Sequence, residues 1–74
     1  EGYLISATNT EIVLRAADGK QTFSVAEQDA PQLGIEHLRS HAGTITAGFR
    51  IYYEQQGGTR FVRRAIEIPP SALG

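Results

Sequence analysis

The sequence contains no cysteine, no methionine and no tryptophan. Without cysteine the chain can form neither a disulfide nor a thiolate metal site, and cysteine usage gives no information on its redox compartment. No apolar run approaches the roughly 20 residues of a membrane-spanning helix, so we expect no membrane span. The absence of methionine predicts that these 74 residues are a processed or excised part of a longer protein.

What is present is typical of one small globular domain. Hydrophobic residues make up 41% of the chain and charged residues 20%, a balance that argues against disorder. A chain of this size buries only about 60% of its unfolded surface, so its core must be compact. We predict a single domain over residues 1–70 and a short tail over residues 71–74.

Charge is distributed unevenly. Residues 1–37 hold two basic and six acidic side chains, a formal charge of −4, whereas residues 38–74 hold five basic and two acidic side chains, a formal charge of +3. This asymmetry hints at an acidic partner for the second half. The plainer interpretation, which we favour, is that the two halves neutralise each other once the chain has folded.

Apolar and polar side chains alternate along several segments, which is the pattern of half-buried strands. The predicted strands cover residues 2–8, 11–16, 21–26, 49–55 and 59–68. Asn9 marks a turn after the first strand. Asp18-Gly19 predicts a type I′ hairpin turn after the second, and Gly57-Gly58 predicts a hairpin loop between the last two.

The pattern changes between the third and fourth strands. Asp29 and Pro31 suit the start of a helix, as an N-terminal cap and a first-turn residue. Gly34 weakens the first turn, so the helix proper is predicted over residues 35–41, ending at Gly43. Residues 44–47 are predicted to be extended or to form a short loop.

The last predicted strand carries a conflict in its alternation. If Val62, Ile66 and Ile68 face the core, strict alternation also points Arg64 inward. A β-bulge near Arg63 and Arg64 would remove the conflict. Alternatively, Arg64 lies at the barrel mouth with its guanidinium in water.

The order of elements predicts a mostly-β fold: a five-stranded, OB-like Greek-key barrel with one short helix between strands 3 and 4. An SH3-like small barrel is the alternative. The chain also resembles the small OB-like domains of uncharacterised bacterial envelope and secreted proteins and, more distantly, the barrel of bacterial translation initiation factors. The residues that carry the resemblance are Gly2, Ile12, Asp18-Gly19, Phe23-Val25, Leu38, Gly48, Ile51, Tyr53, Ala65 and Ile68.

The resemblance implies a module of a larger bacterial protein, in the periplasm or secreted, and it carries no catalytic residues. The residues themselves agree: no nucleophile elbow, oxyanion loop or phosphate loop is recognisable, so we expect no enzyme activity and no cofactor. The leading hypothesis is a non-catalytic binding or accessory module whose partner is a protein, in the same chain or in another subunit. Another hypothesis is that the domain is a scaffold whose exposed strand edges pair with a partner or with themselves.

The alternative function is single-stranded nucleic-acid binding through the hairpin of strands 4 and 5. Basic and aromatic side chains interleave there, and aromatic rings stack bases while arginines neutralise phosphates. The candidate binding residues are Arg50, Tyr52, Arg60, Phe61, Arg63 and Arg64. The plainer interpretation is a hairpin whose aromatics pack in the core and whose arginines are solvated.

His37 and His41 lie four residues apart and share one face of the predicted helix. With Glu36 nearby they could hold a metal ion, but zinc sites use at least three protein ligands, and the chain has no cysteine or methionine to offer. We therefore expect two surface histidines and no metal.

Overall fold

The computed structural model describes residues 1–43 and 48–73, which form five strands, two α-helices and two short 3₁₀ helices. The strands are β1 (Gly2–Ala7), β2 (Glu11–Ala16), β3 (Gly19–Ser24), β4 (Gly48–Gln56) and β5 (Thr59–Ile68). The α-helices are α1 (Ala30–Leu33) and α2 (Ile35–Ser40), and the 3₁₀ helices are Glu27–Asp29 and Pro70–Leu73. Each of the five predicted strands is found within two residues of its predicted start.

The strands form a closed barrel in the order β1-β2-β3-β5-β4. Neighbouring strands are antiparallel, except that β3 and β5 are parallel and meet at Ser24 and Phe61. The start of β4 closes the barrel against β1 at the pairs Gly2–Phe49 and Tyr3–Gly48. With its helices between the third and fourth strands, the structure confirms the predicted mostly-β, OB-like barrel.

The core lies inside the barrel and under α2. Alternation in β2 is as predicted, since Ile12 and Leu14 are buried while Glu11 is exposed. Ile35 and Leu38 project from α2 into the same cluster and cover one end of the barrel. Each such side chain contributes about 1.5–3 kcal/mol when fully buried. The clustered buried residues are Leu4, Ala7, Ile12, Leu14, Phe23, Val25, Ala30, Ile35, Leu38, Phe49 and Val62.

Two turns differ in detail from the sequence prediction. The β2–β3 loop consists of Ala17 and Asp18, both with negative φ, and Gly19 (φ +119°) opens β3, so the turn is not type I′. After β1, Asn9 does not adopt a left-handed conformation. Instead the Thr8 hydroxyl accepts hydrogen bonds from the backbone N–H groups of residues 10 and 11 and shapes the turn.

The helical segment is split by Gly34, whose left-handed backbone (φ +66°) separates α1 from α2. α2 matches the helix predicted over residues 35–41. Asp29 makes no side-chain cap, because its carboxylate binds an arginine of β5 instead. At the other end, the Gly43 N–H donates to the Leu4 carbonyl at 2.9 Å and ties the segment to β1. The prediction for residues 44–47 lies outside the described residues.

Of the two alternatives for the last strand, the structure shows the bulge in β5. Tyr52 pairs with Arg64 and Tyr53 with Val62, so Arg63 is the extra residue. Val62 is buried, and Arg63 and Arg64 are both exposed. The bulge thus resolves the conflict in alternation by keeping Arg64 out of the barrel.

No helix within the described residues is long and apolar enough to cross a membrane.

Candidate functional site

The β4–β5 hairpin extends beyond the closed part of the barrel. β5 pairs with β4 from Gly48 to Gln56, but within the described residues β1 pairs with β4 only as far as Phe49. The turn at Gly57 and Gly58 has positive φ at both positions, as a tight hairpin loop requires. The side of β4 that faces away from β5 therefore has no ladder partner over residues 51–56 among the described residues; we call it the β4 edge.

Arg60 fastens the hairpin to β3. Its guanidinium carbon lies 4.4 Å from the ring centroid of Phe23 and 5.5 Å from that of Tyr53. It also donates to the Gln21 side-chain oxygen at 2.8 Å and to the Thr22 carbonyl at 2.9 Å. Stacking and hydrogen bonds together fix the position of the Arg60 guanidinium, so this side chain has a structural role.

Arg50 is neutralised from within the chain. Its guanidinium donates to the Glu1 carboxylate. Hydrogen bonding to Glu1, and secondarily to Tyr52, raises the pKa of Arg50 above its ordinary value. The charge of this side chain is therefore already paired.

Arg63 is neutralised as well, whereas its neighbour is not. The Arg63 guanidinium donates to Asp29 at 3.1 Å and to Glu54 at 3.2 Å. Arg64 makes no ion pair within residues 1–43 and 48–73, and it lines a shallow groove between α1 and β5 together with Leu33. Of the four hairpin arginines, Arg60 and Arg64 have no carboxylate partner among the described residues, and Arg64 is the more exposed of the two, so its charge is the more available to a partner.

Two exposed tyrosines lie on the β4 edge. Tyr52 is 46% exposed and Tyr53 is 48% exposed, and among the described residues they are the large hydrophobic side chains that solvent reaches most. Adjacent strand residues point to opposite faces, so the pair flanks the edge on both sides. Phe61, in contrast, is half-buried and sits opposite Ser24 at the junction with β3.

The structure thus places the six sequence-predicted residues on one hairpin but gives them different environments. Sequence reasoning missed the groups that engage them, which are Glu1, Gln21, Phe23 and Asp29. These partners lie more than 30 positions away along the chain. The one signal that pointed to them was the opposite charge of the two halves.

The hairpin can offer hydrogen-bonding backbone, two aromatic faces and an exposed cation, Arg64, that has no carboxylate partner among the described residues; those residues present no nucleophile beside a base. Comparison of the chain with protein-family models, curated proteins and solved structures found no match, so its function has to be inferred from this geometry.

Proposed function

We propose that this domain is a non-catalytic binding module of a larger bacterial protein and that it binds an acidic, extended segment of a partner protein along the β4 edge. The observation that carries the proposal is the unpaired backbone of residues 51–56 beside two exposed tyrosines. The resemblance to domains of envelope and secreted proteins supports a place in a larger chain.

The backbone of the β4 edge accounts for the shape of the ligand. An edge strand displays N–H and C=O groups that can form a ladder with another extended chain, which is how many modules bind peptides. Six residues of strand span about 20 Å. A partner segment of five or six residues would therefore fill the β4 edge.

The tyrosines account for the anchoring of the ligand. Tyrosine is enriched at the centres of protein interfaces because it combines a large apolar face with a hydroxyl group. Tyr53 is held by its ring contact with Phe23, at 5.2 Å between centroids. Its face is thus presented with little loss of side-chain freedom on binding.

Charge accounts for the acidic character of the ligand. β4 and β5 together contain four arginines and two glutamates. Arg64 lies opposite Tyr52 in the ladder and has no ion pair among the described residues. A carboxylate of the partner segment that reached Arg64 would complete the pairing already made for Arg50 and Arg63.

The same neutralisation argues against nucleic acid as the ligand. Binding to a single strand draws its affinity from unpaired cations along a groove and from stacked aromatic rings. Here Arg50 and Arg63 are paired with carboxylates. Arg60 is half-buried and packs against the rings of Phe23 and Tyr53. Arg64 is then the one exposed hairpin arginine without a carboxylate partner among the described residues, and a single such cation gives a poor track for phosphates.

Titration of isotope-labelled protein with synthetic peptides tests the proposal. The probe is an end-capped hexapeptide that alternates valine and glutamate, compared with a valine–lysine version and with a version carrying two prolines. We expect the acidic peptide to shift the amide signals of residues 51–56, the lysine peptide to bind more weakly, and the proline peptide to cause no shift because it cannot form a ladder. Absence of shifts at residues 51–56, or equal shifts with the proline peptide, would overturn the proposal.

A pair of matched variants tests the role of charge. Arg64→Gln should weaken binding of the acidic peptide, whereas Arg15→Gln, which removes an exposed arginine from β2, should leave binding unchanged. Equal loss in both variants would show that the attraction comes from net charge and not from the β4 edge.

A further inference from the structure

Away from the β4 edge, the fold brings three side chains with metal-binding atoms together at the opposite end of β5. His37 belongs to α2, His41 follows its last residue, and Glu67 belongs to β5. Their ligand atoms all lie within 4.8 Å of one another. Glu67 is separated from His37 by 30 positions, so the cluster is created by folding.

Both histidines are directed at the same carboxylate oxygen. The Nε2 atom of His37 lies 3.2 Å from Glu67 Oε1, and that of His41 lies 3.3 Å from the same atom. In a tetrahedral zinc site with bonds of about 2.0–2.1 Å, neighbouring ligand atoms are about 3.3–3.4 Å apart. Two of the three distances between ligand atoms, His37–Glu67 and His41–Glu67, therefore already match those of a zinc site.

Packing on the barrel positions two of the three ligands. Glu67 lies opposite Phe49 in the β4–β5 ladder, so both side chains are on the same side of the sheet. The His41 ring packs on Phe49 with 5.7 Å between centroids. The core residue Phe49 therefore holds the His41 side chain close to that of Glu67.

Exposure leaves the cluster open on one side. The side chain of His37 is 67% exposed, that of Glu67 45% and that of His41 25%. His37 is the most accessible of the three and can rotate to close the remaining ligand–ligand distance. Water could then take the fourth position, as in zinc sites with three protein ligands.

We propose that His37, His41 and Glu67 bind a divalent first-row transition cation of the zinc class. Two imidazoles and one carboxylate suit Zn²⁺, whereas Mg²⁺ and Ca²⁺ prefer all-oxygen ligands. The ion would join α2 to β5 and so stabilise the folded state, because the ligand set does not exist in the unfolded chain. Sequence reasoning noted Glu36 near the two histidines and expected no metal, but the carboxylate that meets the histidines is Glu67.

Calorimetric titration with ZnCl₂ at about pH 7.5 tests the site. We expect one ion per chain, a melting temperature that rises with Zn²⁺ concentration, and no comparable effect of MgCl₂. His37→Gln and Glu67→Gln should each weaken binding at least about tenfold. Glu36→Gln is the matched control, one position from His37, and should bind as the wild type does.

Two outcomes would overturn the proposal. Absence of binding by the wild type at about 1 mM Zn²⁺ would reduce the cluster to a carboxylate hydrogen-bonded by two histidines. Binding that survives Glu67→Gln but is lost in His37→Gln would show a two-histidine surface site without β5. Because His37 and Glu67 are exposed, we expect both variants to fold, and circular dichroism checks this directly.

Discussion

At the scale of single residues, the barrel depends on a few side chains at the two places where it closes. At the β3–β5 junction, the Ser24–Phe61 pair is reinforced by Arg60 and its contacts with β3. At the β1–β4 junction, Gly2 allows β1 to lie close to β2. A Cβ atom on Gly2 would come within 2.4 Å of the Arg15 carbonyl oxygen.

Replacement of Gly2 tests the second junction. Gly2→Ala should lower the free energy of unfolding by about 1–3 kcal/mol, because the added methyl meets backbone atoms that cannot move aside. Urea denaturation measures the change, and Ser6→Ala on the same strand serves as the control. Equal stability of Gly2→Ala and the wild type would mean that β1 can shift without disturbing the Gly2–Phe49 pair.

Residue by residue, the sequence predicted which side chains belong to the candidate site better than what they do there. Tyr52 and Arg64 are exposed on the hairpin, as a binding site needs. Arg60 and Arg63 proved to be held by groups from the first half of the chain. Such partners cannot be read from local pattern, because contacts between distant residues depend on strand order and register.

At the scale of elements, the bulge in β5 decides which face of the strand each arginine occupies. The sequence indicated it as one of two ways to keep Arg64 out of the core, since burying an unpaired charge is costly. The turn after β2 was predicted less well. Asp18-Gly19 is a strong local signal, yet Gly19 takes part in the ladder opposite Ala16. The packed faces of both strands set the register of the ladder. This register overrides the local preference of Asp18-Gly19 for a type I′ turn.

Two changes at Arg63 separate the bulge from the side chain that occupies it. Arg63→Ala keeps the extra residue and removes ion pairs that are largely exposed, so we expect a loss of at most about 1 kcal/mol. Deletion of Arg63 keeps Val62 and Ala65 facing inward but straightens the strand. The deletion should cost at least about 2 kcal/mol, since bulges supply the bend that closes small barrels.

Thermal and urea unfolding of both proteins give this comparison. Similar stabilities of the substitution and the deletion would show that the barrel closes without the bulge.

At the scale of the whole molecule, the two oppositely charged halves meet in the folded barrel. Arg50 binds Glu1 and Arg63 binds Asp29, so both of these ion pairs join one half to the other. The second partner of Arg63, Glu54, lies in the same half as Arg63. This is the arrangement that the plainer interpretation of the charge asymmetry predicted. Exposed pairs of this kind add little stability, but they neutralise cations at the surface.

A titration with a mixed-sequence oligonucleotide at about 50 mM salt tests whether these ion pairs prevent the hairpin from binding nucleic acid. We expect the amide signals of the hairpin in the wild type not to shift. The double variant Glu1→Gln/Asp29→Asn releases Arg50 and reduces the pairing of Arg63, and it should gain salt-sensitive binding. Glu11→Gln/Glu27→Gln makes the same change in net charge elsewhere and should not.

Salt-sensitive shifts across residues 49–64 of the wild type would instead favour the nucleic-acid hypothesis over binding of an acidic peptide.

The way the barrel closes also bears on how it folds. β1, β2 and β3 form consecutive hairpins, and β4 and β5 form another, so most strand pairing is between neighbours in sequence. The pairs Ser24–Phe61 and Gly2–Phe49 join the two groups across long stretches of chain, and the entropy cost of closing these loops falls on the step in which the groups meet. Two locally formed units that dock late are the folding order that this topology favours.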